Sequence, residues 1–196
     1  EVFKPLDREA ARRALGLRSA TMLLVGKLTA AKGQQIAIES LRELPDCELL
    51  LVGEGPDEGL LRRLAETTGV AARVRFLGTI DHARLPACYC AADVTVLPSE
   101  REGMPNSVLE SLACGTPVIA TRVGGVPEVL TDPVAGELLG ERTPQALAAA
   151  VTRLLSATID RARIRDYARR FDWSASTAAQ LEVFSQVRHQ IGGESE

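Results

Sequence analysis

Two glutamates, Glu102 and Glu110, stand eight positions apart across a loop that runs into a helix. Between them lie Gly103, Met104, Pro105, Asn106 and Ser107. Glu110 falls about five residues inside that helix, ~7–8 Å along its axis. Carboxylates repel phosphates and accept hydrogen bonds from hydroxyls. A helix N-terminus does the reverse, because its free amides and dipole favour anions. Two lysines, Lys27 and Lys32, flank an earlier strand-to-helix turn, and Lys32 enters the next helix through Gly33. Cations at a helix start oppose the dipole preference, which hints at an anion there. An anion held by lysines and amides, with a carboxylate to either side, suits a ligand with hydroxyls at both ends. A nucleotide-diphosphate sugar has that layout. Taken singly, each residue has a plainer reading: solvated lysines on a loop, a surface Glu102, a solvated helical Glu110.

The elements that must position these residues alternate. Apolar runs at 21–27 and 48–53, an alternating run at 73–78, and short segments at 93–98, 117–121 and 134–139 predict strands. Helices are expected at 34–44, after Pro56, at 83–92 with Asp81 as N-cap, at 105–114 with Gly115 as its stop, and at 126–130. Leu60, Leu61, Leu64 and Ala65 are expected on one helix face. Alternation of this kind predicts an α/β fold, a Rossmann-like doubly wound parallel sheet of about six strands. In the order 3-2-1-4-5-6, ligands bind where strand order reverses, between strands 1 and 4. The loops after those strands are the two that carry the lysines and the glutamates. Helices are then expected at 144–156, 160–170 and 174–190 with no strand between, a helical C-terminal extension. The expected organisation is a lead-in segment and helix at 1–20, a nucleotide-sugar-binding core at 21–140, C-terminal helices at 141–190 and a disordered tail at 191–196.

Composition excludes several classes. The chain has 196 residues, 45% hydrophobic and 25% charged, with a net charge of -3. That is enough for one well-packed domain. The charge balance gives no global basic field, so no nucleic-acid partner is expected. No apolar run approaches the ~20 residues of a membrane span, and no signal peptide is visible. Cys47, Cys88, Cys90 and Cys114 show no paired C-x-x-C spacing and are expected as reduced structural thiols. With only His82 and His189, a histidine-rich metal site is excluded. The segment from Gly53 to Gly59 has G-x-G-x-x-x-G spacing after the second strand, weak support for NAD and better read as a turn bordering a ligand. Gly124-Gly125 after the fifth strand adds backbone donors to the same crevice or is only a turn.

Together these residues resemble the C-terminal, donor-binding half of a GT-B glycosyltransferase, and more narrowly the retaining glycosyltransferase family 4, also called glycosyl transferases group 1. The stretch that carries the resemblance is Glu102 to Glu110 (EGMPNSVLE), the family's E-x7-E motif. Residues 113–120 (ACGTPVIA), Gly124-Gly125-x-x-Glu128, and residues 25–33 (VGKLTAAKG), 49–56 (LLLVGEGP) and 92–99 (ADVTVLPS) match in order. The similarity runs from about residue 3 to about 187.

Carried over by position, the resemblance implies that Lys27 and Lys32 hold the donor diphosphate. Gly103, Met104, Asn106 and Ser107 would contact the diphosphate and sugar, Glu102 the sugar hydroxyls as the catalytic glutamate, and Glu110 the ribose. Gly53, Glu54, Gly55, Gly78, Thr79 and Ile80 would border the nucleobase. The family has Arg where this chain has Lys27, which keeps the charge and loses the planar fork. The implied chemistry is metal-independent transfer of a sugar with retention, and no cofactor beyond the nucleotide-sugar donor, such as a UDP- or GDP-sugar. Phe3-Lys4-Pro5 resembles the segment after an interdomain linker, and Phe171-Asp172-Trp173 the crossing back to the other half. The N-terminal acceptor-binding domain is expected to be missing, and the start at Glu1 without Met is expected to mark a processed or cut chain. The piece is then expected to bind nucleotide without transferring sugar. Further expectations are a cytoplasmic location, including the inner membrane face, peripheral membrane association of the full enzyme, and a homodimer through the exposed interdomain face. The alternatives weighed are another GT-B-like enzyme, such as a nucleotide-sugar epimerase or a phosphorylase, a glycoside hydrolase, and a non-enzymatic interaction module that kept the fold.

Overall fold

A computed structural model describes residues 2–171. Six parallel strands form one sheet in the order β3-β2-β1-β4-β5-β6. They are β1 (Ala20–Val25), β2 (Cys47–Val52), β3 (Val74–Phe76), β4 (Val94–Leu97), β5 (Val118–Thr121) and β6 (Gly136–Leu139). The expected strand order and reversal point are therefore present. The helices are α1 (Arg8–Leu15), α2 (Gln34–Ser40), α3 (Glu58–Thr67), α4 (Leu85–Ala91), α5 (Asn106–Ala113), α6 (Val126–Val129), α7 (Pro144–Ser156) and α8 (Arg161–Ala168).

Strand alternation sends each core residue to one of two layers. Met22, Leu24, Leu49 and Leu51 face one layer with Ile38 of α2, Leu61 of α3 and Val151 of α7. Leu23 and Leu50 face the other, against Tyr89 of α4 and Ala11 of α1. On that same side Leu97, Val118 and Ala120 pack against α5, α6 and α8. The described C-terminal helices are thus built into both layers: α7 contacts α2, and α8 contacts α5.

Several boundaries differ from the sequence expectation. Helix α2 ends at Ser40 and the chain reaches Leu44 through turns, with Leu41 and Leu44 still buried. Pro56 lies in the turn before α3, and Leu60 is 58% exposed, not on the buried face with Leu61 and Ala65. Asp81 is not the side-chain cap of α4. Its carbonyl accepts from the Arg84 and Leu85 amides, and Arg84 takes the cap position. Gly115 does follow the end of α5, with φ +76. The 174–190 helix and the 191–196 tail lie outside the described residues.

Candidate functional site

The loops at the C-terminal ends of the strands are stitched to one another by backbone. Leu28 N–H donates to Glu54 O (3.0 Å), and Gly53 N–H donates to Gly78 O (2.8 Å). Loops after β1, β2 and β3 therefore form a continuous rim. A Cβ on Gly55 would lie 2.2 Å from Leu28 O, so only glycine permits that approach. Across the reversal point, Glu100 N–H donates to Ala31 O (2.7 Å). Arg142, just before α7, clamps the same junction from Nε to Pro98 O (2.8 Å).

The two lysines part company here. Lys32 ends a short 3-10 turn (Ala30–Lys32), and its side chain reaches the loop after β4. Its Nζ lies 2.8 and 2.9 Å from the two oxygens of Glu102. The Glu102 side chain is 8% exposed, so it is not a free surface carboxylate. Lys27 is exposed, while its carbonyl accepts from the buried Gln34 Nε2 (2.9 Å), which pins the loop to α2. Gln34 Oε1 is buried without a partner among the described residues.

The loop that carries Glu102 is braced from behind. Gly125 N–H donates to Gly103 O (3.1 Å), and a Cβ on Gly124 would sit 1.8 Å from Glu102 O. The Gly124-Gly125 pair is a backing for the loop. Gly103 itself meets no protein atom within 4 Å of its Cβ position among the described residues, so that side is open. Met104 is 66% exposed, Asn106 is exposed and Ser107 half-buried. The Asn106 amide, an expected free donor, already bonds Met104 O (3.0 Å). Pro105 O accepts from the Val108 and Leu109 amides, which opens α5.

Glu110 sits in a different environment. Its Oε2 accepts a hydrogen bond from the Tyr89 hydroxyl (2.8 Å), and its Oε1 lies 4.0 Å from His82 Nε2. Burial, reinforced by the Glu110 charge, pushes the Tyr89 phenol well above its ordinary pKa. Phe3 stacks edge-on against His82 (4.7 Å) and Tyr89 (5.9 Å). A cavity of about 390 Å³ opens beside them, lined by Phe3, His82, Asn106, Leu109, Glu110 and Phe171 among others. Tyr89, His82 and Phe3 escaped sequence reasoning as site residues. Tyr89 stands in an apolar helix and nothing local marks its hydroxyl. At the expected nucleobase border, Glu54 and Thr79 are exposed, Gly78 has φ +65, and Ile80 packs against the α1–α4 layer.

All four cysteines are buried and free. Cys90 and Cys114 nevertheless come together between α4 and the end of α5, a contact that sequence spacing did not reveal.

Among known proteins, the family model described as glycosyl transferases group 1 matches residues 7–171. D-inositol 3-phosphate glycosyltransferase 2 of Catenulispora acidiphila is 36% identical over 94% of this chain and 48% of its own. An Anabaena protein solved in complex with UDP and glucose superposes with a TM-score of 0.85 at 25% identity, over 94% of this chain and 54% of its own. The C-terminal domain of a glycosyl transferase group 1 family protein from Francisella tularensis matches with a TM-score of 0.71 at 27% identity, over 84% of this chain and 88% of that domain. The chain spans about half the length of the curated relatives it matches. Its six-stranded Rossmann-like sheet is the fold of a GT-B half, and the chain belongs to the glycosyl transferases group 1 family.

Proposed function

We propose that this chain is the donor-binding half of a retaining glycosyltransferase and holds a nucleoside-diphosphate sugar at the reversal point between β1 and β4. The observation that carries the reading is the Lys32–Glu102 pair, which sets a cation and a carboxylate side by side at the loop that leads into α5. An ammonium has three donors, and two are engaged by Glu102, so one remains for a phosphate oxygen. Glu102 keeps lone pairs for sugar hydroxyls. Lys27 adds a second, exposed charge on the same loop.

In this reading the chain does little covalent chemistry. It orients the donor and stabilises charge that builds on the departing diphosphate, where fixed dipoles cost no reorganisation. Lys27, Lys32 and the Ser107 end of α5 face the diphosphate, Glu102 the sugar, and Glu110 the ribose. The loops at Gly53–Gly55 and Gly78–Ile80 border the base. The acceptor is bound by the other half of the full-length protein, and the full protein moves the sugar. The similarity to D-inositol 3-phosphate glycosyltransferases and to a structure holding UDP and glucose supports this assignment.

Calorimetric titration of the chain with UDP, GDP, ADP and NAD tests it. A nucleoside diphosphate should bind at millimolar concentration or below, and more tightly than NAD. Binding of NAD with no nucleoside diphosphate binding at millimolar concentration overturns the reading.

A further inference from the structure

We propose that Tyr89 is a positioning residue whose hydroxyl fixes the Glu110 carboxylate for a vicinal diol, the ribose hydroxyls of a nucleoside diphosphate. The inference rests on the donor-site reading above and adds a residue to it.

The geometry ties Tyr89 to α5 and to the turn that follows it. Its phenol donates to Glu110 Oε2 at 2.8 Å. Its backbone carbonyl accepts from Thr116 Oγ1 at 2.7 Å. The Thr116 carbonyl in turn accepts from Ser111 Oγ at 2.9 Å, and Ser111 is the residue after Glu110. Arg161 Nη1 donates to the same Thr116 hydroxyl at 2.8 Å, fixing it from α8. Ser111 Oγ also lies 2.8 Å from Thr95 Oγ1 on β4. A closed polar ring therefore runs through Tyr89, Glu110, Ser111 and Thr116, and joins α4 and α5 to the sheet at Thr95.

Burial gives this ring a direction. Tyr89 is fully buried, whereas the Glu110 side chain is 20% exposed and lines the open cavity. The phenol has one proton to donate and sits behind the carboxylate. It engages Oε2 and leaves Oε1 turned towards His82 and the cavity. A glutamate held at one oxygen loses rotamer freedom before a ligand arrives, which lowers the cost of ordering it on binding. Burial keeps the phenol protonated, so the donor is present throughout the neutral range. Phe3, edge-on to both Tyr89 and His82, lines the same cavity.

A packing role alone would make Tyr89→Phe indifferent to the sugar of the ligand. The test is therefore calorimetry with the ribonucleotide that binds the wild-type chain, UDP or GDP, and with its 2′,3′-dideoxy counterpart. Tyr89→Phe should weaken the ribonucleotide about 5- to 10-fold and leave the dideoxynucleotide within about two-fold. In a Glu110→Ala background, which has no side-chain acceptor for the phenol, the loss should disappear. Equal losses for both ligands, no loss for either, or a loss that survives in Glu110→Ala overturns the proposal. If Tyr89→Phe fails to fold, 3-fluorotyrosine at both tyrosines keeps the shape and makes the phenol a stronger donor. The ribo-to-dideoxy affinity ratio must then shift, and an unchanged ratio overturns the proposal. If the wild-type chain binds neither UDP nor GDP, the donor-site reading has failed, and this inference falls with it. A failure confined to the ribo-to-dideoxy comparison leaves the donor site standing.

Discussion

Lys32 and Glu102 lie 70 residues apart in sequence, yet Lys32 Nζ bridges both Glu102 oxygens at 2.8 and 2.9 Å. The pair closes the gap between the loops after β1 and β4. Each partner restrains the other before a ligand enters.

That coupling separates the two partners in substitution. Lys32→Ala removes the inner cation and strands a carboxylate that is 8% exposed. Affinity for UDP or GDP should fall at least about 10-fold, as loss of a charge-assisted hydrogen bond implies, while the nucleoside alone is little affected. Glu102→Gln removes a negative charge and frees the ammonium. Affinity for the plain nucleoside diphosphate should hold or tighten, and the extra affinity gained from the attached sugar should vanish. Glu110→Gln should instead weaken the plain nucleotide. Isothermal titration with UDP and UDP-glucose, or the GDP pair, checks this, and equal effects of the two glutamine variants on plain nucleotide would sink the division of roles.

The Glu102 loop also depends on its backing. At Gly124, φ is +52 and a Cβ would collide with Glu102 O at 1.8 Å. Gly124→Ala should cost about 2–3 kcal/mol, from left-handed strain plus overpacking. In a chain this long that is on the order of 5–10 °C in Tm. Gly103→Ala is the matched control, because no described protein atom lies within 4 Å of that Cβ position. Its Tm should stay near wild type while nucleotide-sugar affinity falls, since the added methyl points into the open side. Thermal unfolding of both variants distinguishes loop bracing from a plain turn.

The sheet order was legible because its signals are local: the apolar run 49–52 and the β-branched segment 94–97, punctuated by Gly and Pro. The reversal point then followed from topology and marked the lysine and glutamate loops together. The partners of those residues were not legible. Tyr89 looks like a core aromatic, and its distance from Glu110 depends on how α4, seated on β1, packs against α5, seated on β4, which no local pattern encodes. Leu60 erred in the other direction. Its helical spacing fits the buried stripe, but α3 is rotated so that Leu61 and Ala65 meet the sheet and Leu60 turns outward. Cys90 and Cys114 met for the same non-local reason.

Those two thiols should be chemically distinguishable. The hydrogen bond between them holds Cys90 below the range of an ordinary thiol and pushes Cys114 up, and the Leu6 amide at 3.3 Å adds to the effect on Cys90. Burial pushes Cys47 up to about 12. Cys90 borders a cavity of about 360 Å³ beside Arg161. Under native conditions iodoacetamide should therefore modify Cys90 before Cys47, with a half-point below the ~8.5 of a free thiol. Cys114→Ala should move that half-point upward. Mass spectrometry of the labelled peptides across pH 6–10 reads both. A Cys90 profile that ignores Cys114→Ala would show that the pair is not coupled.

The Tyr89 phenol makes an independent prediction about stability at high pH. Its pKa in the fold lies well above the ordinary value, first because it is buried and second because Glu110 carries a charge beside it. In the unfolded chain it returns to ~10. Below that pH both states hold the proton and the contribution is constant. Above it the unfolded chain releases the proton and the folded chain keeps it, so unfolding is favoured by about 1.4 kcal/mol per pH unit. Tyr89→Phe removes this term while leaving the other titrating groups in place. Urea midpoints measured at pH 8 and pH 11 should converge for the two proteins: wild type starts ahead, because its Glu110 is hydrogen-bonded, and loses more as pH rises. In a Tyr167→Phe background, where Tyr89 is the sole tyrosine of the chain, phenolate absorbance should appear only with unfolding. Ionisation near pH 10 in the folded protein would mean that the phenol is not enclosed against Glu110.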